Sequence, residues 1–188
     1  PIFLFLSWKS VLFNKTFFTF TISKEEKFWK KESAYILNLL GSPLGFNYNL
    51  DEDRDLIIID TTGKTIVQFG NRFYFNGDSL KHLTRPCFIK TPQGFFACFP
   101  FNNHTTTGTK IIGISAIYYS FLDENTIFKN SPAQRFKFLG KIEISDAPLP
   151  DSIKITIKDY CNACYVIFQN PFEEKELFLL LFSLSILI

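Results

Sequence analysis

The sequence has no methionine, at its first position or anywhere after it, and only two histidines, His82 and His104. Because the methionine is missing throughout, we expect the chain to begin inside a longer reading frame or to follow processing. His82 precedes a Leu and His104 stands in a Thr-rich stretch. Neither has a Cys or carboxylate at ligand or triad spacing, so both read as ordinary surface residues. No GxSxG, HExxH or glycine-rich phosphate loop occurs, which removes the commonest hydrolase, metalloprotease and nucleotide-binding signatures. Asp51, Asp53 and Asp55 alternate like calcium-loop acids, but the Gly and distal Glu of such a loop are absent, so the three read as a solvated loop. Nor does one charge dominate. The chain carries 20 Lys+Arg against 18 Asp+Glu, with Lys30, Lys31, Arg135 and Lys137 dispersed, which argues against a nucleic-acid partner. Repeats, heptads and low-complexity tracts are also missing. The expectation is a segment with no catalytic site, no cofactor and no metal.

What the chain does have is phenylalanine, 24 of them, and apolar ends. Phe, Ile, Asn and Lys are favoured by AT-rich coding, which accounts for part of that excess. At 188 residues the chain is long enough for one domain with a proper core. Leu177 to Ile188 (LFLLLFSLSILI) holds twelve residues without a charge, preceded by the charged run Glu173 to Glu176. A spanning helix needs about 20 such residues, so residues 173–188 read as the start of a transmembrane helix. Residues 1–22 form an apolar N-terminal segment, read either as the end of a membrane helix or as an edge strand. The β-favouring run Thr16 to Ile22 supports the strand.

The spacing predicts a helix over Ser23 to Leu40. Ser23 and Glu26 match a capping box, and Phe28, Trp29, Tyr35, Ile36, Leu39 and Leu40 recur at roughly helical intervals before Gly41 and Pro43. Strands are expected over 56–60, 65–69, 72–75, 87–90, 95–101, 110–121, 136–144, 152–157 and 164–168, with a short helical turn over 79–83. Thr91-Pro92-Gln93-Gly94 has type I turn chemistry. The class is therefore α+β, mainly antiparallel sheet with a long N-terminal helix.

Counting outward from that turn sets Cys87 opposite Cys98, while Cys161 and Cys164 form a CxxC. Directly opposed Cβ atoms lie about 4.5–5.5 Å apart, and a disulfide wants roughly 3.8 Å, so a Cys87–Cys98 bridge needs local twist. Free buried thiols, one or two disulfides, a zinc site and a redox motif all stay open. Against the last, Cys164 opens a strand, whereas a catalytic CxxC wants a helix N-terminus. Arg72, Tyr74 and Arg85 stand among aromatics, where such residues grip a carboxylate or another small polar ligand, or else cover the rim of the core. Asn14-Lys15-Thr16 and Asn103-His104-Thr105 fit the glycosylation pattern.

The order of elements carries a resemblance. A long helix leads to LIIIDTTGKTIVQFG, then GFFACFPF, a polar loop and GTKIIGISAIYYSF. This resembles the PAS-like (Cache-type) extracytoplasmic domains of membrane-bound sensor histidine kinases and chemoreceptors, which place an IDxxGK motif on the first hairpin and iiGi on a late central strand. Asp60, Gly63, Lys64 and Gly113 are the matching positions. KIEISDAPLPDSIKITIKDY, a last strand and the apolar run resemble the membrane-proximal segment of such kinases in AT-rich bacteria. The resemblance covers roughly residues 23–188 and implies a sensor domain over 23–172. It further implies a small-molecule or protein ligand, a homodimer, a cell-membrane location with the domain on the periplasmic side, and a kinase core outside the chain. A non-catalytic accessory subunit of a membrane complex, encoded by an AT-rich organellar genome, fits the composition as well. A thiol oxidoreductase using Cys161 and Cys164 is a further alternative.

Overall fold

A single α-helix, α1, runs from Ile2 to Leu40 in this computed structural model, which describes residues 2–40, 50–70, 73–75, 77–102, 108–120 and 130–169. The helix thus starts about twenty residues earlier than the Ser23 cap predicts, and it runs unbroken through the expected boundary between residues 22 and 23. Thr16, Thr19 and Thr21, which favour the strand reading, return their hydroxyls to the carbonyls of Leu12, Lys15 and Phe17, each at 2.9 Å. A threonine bonded back to the previous turn is at home in a helix, and the rings of Phe13 and Phe17 meet one turn apart with centroids 5.9 Å apart. Ser23 and Glu26 are interior to α1, where no free helix-start N–H groups exist to be capped. At 1.5 Å per residue, α1 is about 58 Å long.

One stripe of α1 is buried: Asn14, Phe18, the adjacent Thr21 and Ile22, Glu25, Trp29, Ser33 and Ile36, recurring every three or four residues. It is apolar at only half its positions, and among the polar ones Glu25 carries a charge. The stripe packs on two strands of a sheet and on a 3₁₀ helix at Gln134–Leu139. Phe136 meets Phe18 at 5.3 Å, and Phe138 meets Phe17 edge-on at 4.3 Å.

The main sheet is antiparallel throughout and is built from β1 (Arg54–Ile59), β2 (Thr65–Phe69), β3 (Cys87–Thr91), β4 (Gly94–Asn102) and β5 (Lys110–Tyr119). The order across the sheet is β2-β1-β5-β4-β3, so β5 is central, and the two-residue β6 (Ser131–Pro132) pairs with its end. The run Ile111 to Ile117 is buried on both faces, which explains its near-continuous apolar sequence. A second, three-stranded antiparallel sheet follows in the order β7-β9-β8, from β7 (Ile142–Ser145), β8 (Ile153–Ile155) and β9 (Cys164–Phe168).

One expected strand is absent over its described residues and another forms only in its last part. Phe73 to Phe75 is irregular. There the N–H of Phe73 goes to the Asp55 carboxylate (3.1 Å) and that of Tyr74 to Gln93 Oε1 (2.7 Å), so side chains take the place of a ladder. Phe73 and Phe75 both turn onto Phe96, at 4.6 and 5.1 Å. Residues 136–144 divide between the 3₁₀ helix and β7, because Gly140 at φ 66° ends the helix and redirects the chain. The short helical turn appears as α2 (Gly77–Lys81), with Lys110 Nζ donating to the Lys81 and Leu83 carbonyls at its C-terminal end. Among the described residues no helix is long and apolar enough to cross a membrane. The C-terminal run 173–188 lies outside the described residues.

Candidate functional site

The charged member of the α1 stripe, Glu25, leads to the site. Glu25 stands one turn before Trp29, so both side chains descend onto the same face of the sheet. Trp29 lies flat over Gly113 of β5, so close that a Cβ there would meet the indole at 2.2 Å. Trp29 Nε1 donates to Ser115 Oγ (2.8 Å), and Ser115 donates in turn to Glu25 Oε2 (2.7 Å). Gly113 and Ser115 are two apart on β5, which sets them on one face.

The carboxylate of Glu25, 3% exposed, collects two arginines. Arg54, the first residue of β1, donates Nε and Nη2 to the two Glu25 oxygens at 2.8 Å each, a planar two-point grip. The same guanidinium covers the Phe28 ring at 3.4 Å. Arg135 of the 3₁₀ helix brings Nε to Glu25 Oε1 at 3.1 Å. Both arginines then reach Asp51: Arg54 Nη1 at 2.7 Å, and Arg135 through Nη2. Arg135 Nη1 also lies 3.5 Å from Asp53 Oδ2, while Tyr119 donates its hydroxyl to Asp53 Oδ1 at 2.5 Å. Two guanidiniums and three carboxylates thus join α1, the β1 start, β5 and the 3₁₀ helix. Beside them a cleft of about 420 Å³ opens among Asp51, Glu52, Asp53, Gln134 and Arg135.

The expected solvated acidic loop is therefore corrected in two of its three members. Asp51 is exposed, but Asp53 and Asp55 are buried. Asp55 lies on the opposite face of the sheet from Glu25 and accepts from Phe73 N–H and, more weakly, from Gln68 Nε2 at 3.4 Å.

Of the residues expected to bind ligand, Arg72 lies outside the described residues. Tyr74 is 80% exposed, and Arg85 is exposed just before β3. Neither of these two lines the cleft. Glu25, Arg54, Trp29, Ser115, Tyr119 and Arg135 were all missed as site residues. The available signal was Glu25 itself, an acid inside the buried stripe of a helix, since a buried charge demands a partner.

The hairpin motif resolves into turn chemistry. Asp60 Oδ1 accepts from Thr62 Oγ1 (2.6 Å), Thr62 N (2.8 Å) and Lys64 N (2.9 Å), and Gly63 supplies φ 90°. These bonds, that of the Thr62 hydroxyl foremost, hold the Asp60 carboxyl below its usual range.

Cys87 does pair with Cys98 in the β3–β4 register, as the turn count requires, and the described thiols are all free. Cys161 is exposed and Cys164 is buried at the start of β9. Burial pushes the Cys164 thiol up to about 12. Among the described residues no group of three or more His, Cys, Asp or Glu is arranged to hold a metal ion. His82 is exposed after α2, and His104 and Asn103 lie outside the described residues. Asn14 is buried within α1, which withholds it from glycosylation in this fold.

No family model matches the chain, and neither does any curated protein or solved structure.

Proposed function

We propose that the chain is the extracytoplasmic, ligand-sensing region of a membrane-bound signal-transduction protein, a PAS-like domain of a sensor histidine kinase. The observation that carries this reading is the locking of one long helix to the central strand of an antiparallel sheet. Trp29 seats on Gly113, and Glu25 is held by Arg54, Arg135 and Ser115. The motif positions named in the resemblance fit it as well. Asp60, Gly63 and Lys64 form the first hairpin, and Gly113 lies on the central strand.

The mechanism follows from that lock. A small molecule or protein that favours one arrangement of the sheet shifts β1, β5 and the 3₁₀ helix relative to one another. The ion network transmits the shift to α1 as a rigid body, because its buried charges resist losing their partners. α1 then carries the change toward the membrane and, in a homodimer, against its mate.

Thermal denaturation of the full chain in detergent, against a panel of metabolite classes, tests this. A compound at one hundred times its Kd adds about 2.7 kcal/mol to the native state, a rise of about 5–10 °C for a chain of this size. A transition that no class moves refutes small-molecule sensing. The accessory-subunit reading draws on the exposed Leu12, Phe17, Phe20 and Tyr35 of α1, which a partner chain would cover. Recovery of the chain only within a larger stoichiometric complex would favour it.

A further inference from the structure

We infer that Cys161, Cys87 and Cys98 form a thiol–disulfide exchange site on the edge of β3, where a low-molecular-weight disulfide is reduced and Cys161 becomes bonded to Cys87. This goes beyond the sensing proposal and does not depend on it.

The geometry begins with the segment between β8 and β9, which wraps the free edge of β3. Cys161 N–H donates to the Pro86 carbonyl at 2.9 Å. Asn162 takes both backbone groups of Phe88, its Oδ1 accepting the N–H and its Nδ2 donating to the carbonyl, each at 2.8 Å. These three bonds fall on either side of Cys87 and hold Cys161 beside it. Cys87 faces Cys98 across the β3–β4 ladder on one side and has the Cys161 segment bonded along its edge on the other, so it is the middle member of the cluster; the Cys161 thiol itself donates to Asn162 Oδ1 at 3.6 Å.

The same bonds select the pairing. Phe88 points its N–H and C=O outward to Asn162, so Phe88 and Ala97 are a non-hydrogen-bonded pair of the ladder. Cys87 and Cys98, one step along, are therefore a hydrogen-bonded pair. Their Cα atoms are held about 5.5 Å apart, and Cβ atoms do not approach as closely there as at non-hydrogen-bonded positions. Cys161 stands on an irregular segment with no ladder to constrain it. Cys164 is fully buried, whereas Cys161 meets solvent.

The chemistry balances in two exchanges. The Cys161 thiolate attacks a small disulfide RSSR, forming Cys161–S–S–R and releasing RS⁻, which takes up the Cys161 proton. The Cys87 thiolate then attacks Cys161 Sγ, forming Cys87–S–S–Cys161 and releasing a second RS⁻, which takes up the Cys87 proton. Two protein thiols are oxidised and one RSSR is reduced to two RSH. The cluster divides these roles. Hydrogen bonding by Cys98 lowers the Cys87 thiol and suits it to the resolving attack. Burial, with the neighbouring Cys87, pushes Cys161 up to about 11, so the first exchange is the slow one. Arg85 opposes that rise, and its charge favours an anionic disulfide.

The test exposes the full chain in detergent to oxidised glutathione at pH 8, blocks remaining thiols by alkylation, and maps disulfides by mass spectrometry without reduction. The expected result is a glutathione adduct on Cys161 that gives way to a Cys87–Cys161 linked peptide. Cys161→Ser should abolish both species. Cys87→Ser should leave the adduct in place, and Cys98→Ser should keep the link but form it several-fold more slowly. Cys87–Cys98 or Cys161–Cys164 as the principal bond overturns the inference, as does a Cys161 adduct that never resolves. The wild-type map decides this even if a variant fails to fold.

Discussion

Replacing Gly113 with alanine tests whether α1 is seated on the sheet as described. The new Cβ would lie 2.2 Å from Trp29 Cδ2 and 2.6 Å from both Cγ and Cε3. Ordinary contact begins near 3.4 Å, so the indole must retreat by about 1 Å. It cannot do so freely, because Trp29 is fully buried and its Nε1 is held by Ser115 at 2.8 Å. Overpacking of this kind costs roughly 1–3 kcal/mol, and stretching the Trp29–Ser115 bond adds up to about 1 kcal/mol. Removing a glycine from a strand returns about 0.5–1 kcal/mol. The expected net loss is about 2 kcal/mol, equivalent to a fall in melting temperature of about 4–8 °C. The assay is urea unfolding of wild type, Gly113→Ala, Trp29→Phe and the double variant. The smaller ring should relieve the clash, giving a favourable coupling of about 1 kcal/mol. A neutral or stabilising Gly113→Ala, or a coupling indistinguishable from zero, would refute the seating of Trp29 on Gly113.

Two further outcomes follow from the same structure. Glu25→Ala takes from Arg54 and Arg135 their shared buried partner while leaving them Asp51, and should cost about 3 kcal/mol. Asp51→Ala, at the exposed end of the same network, should cost no more than about 1 kcal/mol; equal losses in urea unfolding would mean that Glu25 is not the hub. Cys164 should make stability fall with alkaline pH. The unfolded thiol ionises near 9.0 and the folded one only near 12, so the folded state retains a proton that the unfolded state releases. That contribution is complete below pH 9 and declines by about 1.4 kcal/mol per pH unit between the two values. Unfolding at pH 8, 9, 10 and 11 should show a shallower decline in Cys164→Ala than in wild type, and identical slopes would contradict a buried thiol.

Where the chain pairs with itself over short distances, local pattern was sufficient. The 65–69 and 164–168 strands, the Thr91–Gly94 turn and the Cys87–Cys98 register all depend on alternation and turn chemistry within a few residues. The same is true of the Asp60 turn, where one carboxylate and one glycine satisfy the backbone. The α+β class follows from these. The N-terminal helix was only half legible, because Phe- and Thr-rich composition favours strands in isolation. The threonines of residues 16–21 become good helix residues once their hydroxyls bond back and the Phe18 face is buried against Phe136. Tertiary burial also decided the 3₁₀ helix at Gln134–Leu139, whose Phe136 and Leu139 could equally have alternated along a strand.

The site was the least legible part. Arg54, Ser115 and Arg135 stand 29 to 110 residues from Glu25 along the chain, and no spacing rule links them. The amino acids by themselves determined the local turns, most strand runs and the need of each buried charge for a partner. Only the tertiary structure decided which partners those were. It did so because laying α1 across β5 brings an acid of the helix within 3 Å of an arginine and a serine from two different strands. The same packing excludes the water that would otherwise have satisfied each of them alone.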